Sequence, residues 1–213
     1  MAVNVRHGKS IYLKSIKMSR EITITAYEFA ELEPKVKEKV LDNYRYTLLE
    51  LNDDWAQPVI EEFNEDMLNF GITADVKFSG FGSQGDGASF TTDTCDTDLL
   101  IRKLHESGHK IPENALLDSK DFSVSIYRNG FSYAHEYTTY VDIHGEDTTL
   151  SHFERKELEA VITEWSRIKS RELYINLEKE FDSLTSDEAI IKYFTETEFL
   201  FYHNGTVLVR NID

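Results

Sequence analysis

The stretch from Ser151 to Leu184 constrains this chain most. Its apolar residues recur at helical spacing for roughly nine turns without a proline or glycine. Phe153, Leu158, Ile162, Trp165, Ile168, Leu173, Leu177 and Phe181 drift around a broad apolar stripe, with Glu and Lys on the other side. A helix about three times the average length is therefore expected here, covering one face of a sheet. Part of it is expected to pack against a second copy, making a homo-oligomer.

The sheet is read from two-residue alternation. Residues 21 to 27 alternate and are rich in β-branched side chains. Ile72, Ala74, Val76 and Phe78 alternate with Thr73, Asp75, Lys77 and Ser79, and β-formers return from Ala88 to Thr92. Phe122, Val124 and Ile126 lead to Arg128, and Asn129-Gly130 then signals a tight hairpin with a long return strand from Phe131 to Ile143. A second Asn-Gly, at 204 and 205, predicts a closing hairpin between Glu198–His203 and Thr206–Arg210. Shorter helices fit between: Pro34 opens one to about Leu51, and Asp53 or Asp54 opens another through Trp55, Val59, Phe63 and Met67 to Gly71. Others fit Asp96 to Glu106 and Ser186 to about Thr195. Strand pairs without a regular βαβ alternation give an α+β fold, with a mainly antiparallel sheet packed by the long C-terminal helix and shorter helices.

Residues 1–18 hold Arg6, Lys9, Lys14 and Lys17 and no acid, and read as a basic leader without a defined fold. Residues 19–213 read as one domain. The 213 residues carry 39 acids against 23 basic side chains, a formal charge of −16, so duplex nucleic acid is repelled. The plainer reading of that surface is that it keeps the protein in solution; a basic partner is the sharper one, a host defence protein on the resemblance given below. One cysteine, Cys95, rules out an internal disulfide framework, and no apolar run approaches the length of a membrane span. The expected location is a cytoplasm, that of a bacterial host on the resemblance given below, with no membrane partner.

The segment FSGFGSQGDGASF sets Gly80, Gly82, Gly85 and Gly87 within eight residues, where a plain hairpin needs a single glycine. Such density frees the backbone for positive φ and lets amides approach a ligand. Ser83, Gln84, Asp86 and Ser89 add polar groups beside Phe78, Phe81 and Phe90, a mixture suited to a planar ring with polar edges. Alternation on the return strand would put Tyr133, His135, Tyr137 and Thr139 on one face, near Arg128. The candidate ligand-binding set is thus Phe78, Gly80, Phe81, Ser83, Gln84, Asp86, Ser89, Phe90, Arg128, Tyr133, His135 and Tyr137.

Catalytic signatures are weak. The loop lacks the Gly-Lys-Ser/Thr ending of a phosphate loop, and His135-Glu136 is not followed by histidine at the zincin spacing. Asp93, Asp96 and Asp98 lack the glycine and distal glutamate of a calcium loop. Cys95 with His135 would form a thiol and base, although a lone cysteine is usually a packed residue. Asp86 with Glu62 would make an acid–base pair on a nucleotide. No metal or cofactor is expected, and a binding protein is favoured over an enzyme.

The segment from Phe78 to Phe90 resembles the motif FSGFWSQGDGASF of a family of uncharacterised bacteriophage and prophage proteins, with Gly82 where that family usually has tryptophan. The resemblance continues in Asp53-Asp54-Trp55, in Tyr133-Ala134-His135-Glu136, in Leu177-Glu178-Lys179-Glu180-Phe181 and in Leu184-Thr185-Ser186-Asp187-Glu188. It closes on Glu198-Phe199 and Asn204-Gly205, covering most of the chain from about Ala30. It implies a phage accessory protein, some of whose relatives carry antitoxin-like labels. The resulting expectation is an anti-defence protein that sequesters a small nucleotide-derived host immune signal. An acidic inhibitor or antitoxin of a host effector comes second, and a hydrolase of the signal centred on Asp86, Glu62 and His135 third.

Overall fold

The structure is a computed structural model that describes residues 10–14, 21–129, 134–145 and 148–208. The fold class is α+β, as expected: paired antiparallel strands, several short helices and one long helix packed on the sheets. The chain divides into two compact units, one formed by residues 54–180 and the other by 1–53 with 181–213.

In the unit 54–180, α3 (Gln57–Leu68), which follows two helices of the other unit, starts with Pro58 in its first turn, where a missing N–H costs nothing. Phe63 and Met67 are its buried residues. Gly71 then takes φ +73 and turns the chain into β3 (Ile72–Ser79), which pairs with β4 (Gly87–Cys95) through a bulge at Thr73/Ala74. Asp96 accepts the Leu99 N–H at 3.0 Å and caps α4 (Thr97–Glu106), and a short α5 (Glu113–Leu117) that the sequence did not announce follows.

Next comes β5 (Ser123–Arg128), paired with β6 (Thr139–His144) so that Arg128 faces Thr139. That register corrects two expectations. Asn129-Gly130 does not close a two-residue turn, and the return strand starts at Thr139, not Phe131. A connection of ten residues intervenes, whose part 130–133 lies outside the described residues and whose part Glu136–Thr138 is a 3-10 turn. The turn forms because His135 and Thr138 satisfy each other's backbone: Thr138 Oγ1 accepts from His135 N–H, and His135 Nδ1 accepts from Tyr137 N–H at 3.2 Å. The predicted alternation of His135, Tyr137 and Thr139 along one strand face is therefore replaced by a turn.

No backbone ladder joins β4 to β5 among the described residues. The Ile126 N–H donates to Thr92 Oγ1 of β4 at 3.1 Å and the Val124 N–H to Thr97 Oγ1 at the start of α4 at 3.3 Å, so two side-chain hydroxyls take the place of strand carbonyls. The long helix α6 (His152–Leu184) starts at a reciprocal cap, Glu154 N–H to Ser151 Oγ and Ser151 N–H to Glu154 Oε2. It buries Leu158, Ile162, Trp165, Leu173 and Leu177 together with the small Ser166 and Ser170. Trp165 meets Phe70 and Phe90, and Phe90 meets Phe63 with centroids 5.4 Å apart. Burying a ring such as Phe90 completely stabilises the fold by about 2–3 kcal/mol.

In the other unit, β1 (Ser10–Lys14) pairs antiparallel with β2 (Glu21–Thr25). A strand thus lies inside the segment read as an unstructured leader; residues 1–9 and 15–20 are outside the described residues. The helix expected to run to Leu51 is two, α1 (Pro34–Tyr44) and α2 (Thr47–Leu51). They are separated where Arg45 bonds Asp42, Asp187 and the Thr185 carbonyl. α7 (Asp187–Glu196) is capped by Ser186 and buries Ile190 and Phe194 against Leu32, Val40 and Phe201. Phe201 bridges both Tyr27 and Val207, and Gly205 turns the chain between them at φ +83, close to the predicted closing hairpin; residues 209–213 lie outside the described set.

Candidate functional site

The glycine-rich segment is the β3–β4 connection. Its backbone folds around its own acid: Asp86 N–H donates to the Ser83 carbonyl at 3.1 Å, and Asp86 Oδ2 accepts the Ser83 N–H at 2.7 Å. That carboxylate also lies over Gly80, where an added Cβ would sit 3.2 Å from Asp86 Oδ2. Gly82 and Gly85 take φ +132 and +100, which favour glycine. Gly87 instead makes room for a neighbour: an added Cβ there would meet His135 Cδ2 at 2.9 Å, His135 Cα at 3.0 Å and the Ala134 carbonyl oxygen at 3.1 Å. The Ser79 hydroxyl donates to that same Ala134 carbonyl at 3.2 Å. Glycine loop and 134–138 turn are thereby in direct contact.

The aromatic residues beside the loop sort into two groups. Phe78 and Phe81 are half-buried and form a cluster with Trp55, with centroids 5.8 and 6.1 Å from its ring. Phe81 also stacks on Tyr174 of α6 at 5.4 Å. The Tyr174 hydroxyl donates to the Gly80 carbonyl at 3.3 Å. Burial, with Glu178, Asp86 and Glu136 nearby, pushes the Tyr174 pKa up, so the phenol stays a proton donor. Phe90, by contrast, is wholly enclosed in the core and offers no ligand-facing surface.

Ser89 is also fully buried, and its Oγ, like Thr139 Oγ1, has no hydrogen-bond partner. Ser83 and Gln84 are exposed at the tip. Arg128 is bonded to Asp75 of β3 at 3.5 Å, so its charge is already matched. Tyr133 lies outside the described residues. His135 stacks on Tyr137 at 5.2 Å, and its Nδ1 is 3.2 Å from Glu136 Oε2 as well as from the Tyr137 N–H it accepts.

Two residues beside the loop and the turn, Arg167 and Tyr174, went unnoticed in the sequence. Tyr137, 64% exposed, has the guanidinium carbon of Arg167 5.5 Å from its ring centroid. Arg167 Nε is buried with no hydrogen-bond acceptor. Arg167 and Tyr174 stand seven residues apart on α6, hence on one face, and that spacing was the available signal. Glu136 is an electrostatic neighbour of Tyr174. The face therefore combines an exposed ring, an unsatisfied guanidinium donor and a folded-back carboxylate.

Asp86 is committed to the Ser83 amide, and Cys95 has its pKa pushed up to about 11 by burial, so it is not a thiolate nucleophile. Among the described residues no three His, Cys, Asp or Glu side chains are grouped as a metal site requires.

Comparison with known proteins places the site in a family. The profile of a domain of unknown function, DUF8835, matches residues 55–187, well over half of the chain, and the chain belongs to that family. The match starts at Trp55 and spans the glycine loop, the 134–138 turn and all of α6. No curated protein and no solved structure matches the chain.

Proposed function

We propose that this protein is a non-catalytic binder of a small nucleotide-derived ligand. The ligand is held where the glycine loop, the 134–138 turn and α6 meet. One observation carries the reading: Tyr137 is largely exposed beside Arg167, whose buried Nε has no acceptor. A buried unsatisfied donor costs about 1–3 kcal/mol, more when charged, and a guanidinium that turns outward to meet a phosphate oxygen would remove that cost. An exposed ring next to a guanidinium is also what a base with an attached phosphate can use, the base by stacking and the phosphate by charge. In a chain of net charge −16, such a localised cation is what allows an anion to approach.

The biological setting proposed is that of a bacteriophage accessory protein. It would withdraw a host immune signal from the bacterial cytoplasm without cleaving it, as a homo-oligomer. The resemblance of the Phe78–Phe90 segment supports this setting. The experiment is capture and release. Purified protein is incubated with nucleotide extracts of infected bacteria that contain cyclic nucleotides, washed, denatured by heat, and both fractions are examined by mass spectrometry. The expected result is an intact nucleotide in the heat-released fraction, reduced at least ~10-fold for Arg167→Ala and for Tyr137→Ala in protein that remains folded. An empty heat-released fraction ends the proposal, and a cleaved nucleotide replaces it with the hydrolase reading. A salt-sensitive complex with a basic protein, unaffected by either substitution, would favour the inhibitor reading.

A further inference from the structure

A cavity lies in the unit formed by residues 1–53 and 181–213, and its lining falls outside the residues matched by the family. It measures ≈ 340 Å³ and is walled by α1 on one side and by the turn around Asn204-Gly205 on the other. The geometry points to a binding site for a small organic anion, one that joins a carboxylate or phosphate head to a compact apolar group.

The walls contain one cation and no acid. Lys39 lines the cavity and has no ion pair among the described residues, although the whole chain carries 39 carboxylates. Around it stand uncharged donors. Asn204 lines the cavity with its Oδ1 taken by the Thr206 N–H at 3.0 Å, which leaves its NH2 group without a partner among the described residues. Asn43 and the Thr206 hydroxyl line the same space without a side-chain partner of their own. Burial and the neighbouring Tyr193 push the Tyr44 pKa up, so its hydroxyl stays a donor. Val40, Val207 and the Tyr44 ring supply the apolar part of the lining. One ammonium, amide and hydroxyl donors and an apolar floor match an anion attached to a ring or short chain better than a free inorganic ion.

The cavity is held open by a fixed contact. Gly205 at φ +83 presses its backbone onto α1 so closely that a Cβ would fall 2.7 Å from Val40 Cγ2 and 2.9 Å from Val36 Cγ1. The turn therefore meets the helix at one place and leaves the hollow beside it, and no rearrangement is needed to form the site.

The test uses the full chain and three probes: phenyl phosphate, benzoate and the neutral benzyl alcohol. Titration calorimetry gives the affinities, and the side-chain NH2 signals of Asn43 and Asn204 in nitrogen-edited NMR spectra report the place. Binding of phenyl phosphate or benzoate at least 10-fold tighter than benzyl alcohol is expected, with both amide signals shifting. Lys39→Gln should weaken the anion at least 10-fold, and Lys35→Gln, at an exposed site outside the cavity, should leave it within 2-fold. Any one of four results overturns the inference: no binding by either anion, equal binding of benzyl alcohol, no effect of Lys39→Gln in a variant that melts like the parent, or shifts confined to the glycine loop and Tyr137.

Discussion

Replacing Gly87 with alanine isolates the contact on which the candidate site is built. Gly87 is not at positive φ, so an alanine there brings a methyl group and no backbone strain. That methyl would arrive 2.9, 3.0 and 3.1 Å from three atoms, whereas ordinary contact starts near 3.4 Å, so the neighbours must retreat by about 0.5 Å. Two of the three, His135 Cα and the Ala134 oxygen, are main-chain atoms that cannot rotate aside. The Ala134 oxygen is also the acceptor for Ser79, so the retreat stretches that bond. Overpacking of this kind costs about 1–3 kcal/mol. Urea unfolding followed through Trp55 and Trp165 should show that loss with an unchanged denaturant slope, and nucleotide capture should fall because the stacked His135 and Tyr137 are displaced. Gly82→Ala is the matched control: its φ of +132 disfavours alanine, but its Cβ would meet nothing within 4 Å. It should cost about 1–2 kcal/mol and spare the 134–138 turn. A Gly87→Ala protein within 0.5 kcal/mol of the parent would refute the close approach of loop and turn.

Three further outcomes are expected. Cys95, with its pKa near 11, should be about one part in a thousand ionised at pH 8 and react with iodoacetamide roughly 100-fold more slowly than a free cysteine; rapid labelling of the native protein would contradict its burial. Asp96→Ala removes the α4 cap and should lower stability by about 1 kcal/mol, read from the urea midpoint. Ser119 donates to Asp98 at 2.6 Å, and this bond comes first in holding the Asp98 carboxyl below its usual range. A depressed carboxyl pKa stabilises the fold above the unfolded value, and the contribution is lost as pH falls through the folded value. Ser119→Ala should therefore shift the acid unfolding midpoint to higher pH, and an unchanged midpoint would show that the bond contributes nothing.

The fold was legible wherever one local rule acted alone. The 33-residue α6 was readable because its apolar stripe runs on without a proline or glycine, and β3 because alternation persists from Ile72 to Phe78. The Asn129-Gly130 signal failed because His135, Thr138 and Gly87 fix a different connection, and such bonds depend on what lies across the fold. At the candidate site the glycines marked the β3–β4 connection, but their spacing could not show that Asp86 folds back onto Ser83 or that Phe90 turns into the core. Arg167 and Tyr174 were hidden in a helix whose other face carries the packing, where a polar residue reads as ordinary solvent-facing surface.

Two hydroxyls, Thr92 of β4 and Thr97 at the start of α4, join the β3–β4 pair to β5. A carbonyl is fixed to its strand, but the Thr92 and Thr97 side chains can turn about χ1 and follow a moving N–H. No ladder bond joins the two strand pairs among the described residues, so a relative shift of the pairs would strain these hydroxyl bonds before either ladder. Because the glycine loop ends one pair and the 134–138 turn belongs to the other, such a shift would set the distance between Gly87 and His135.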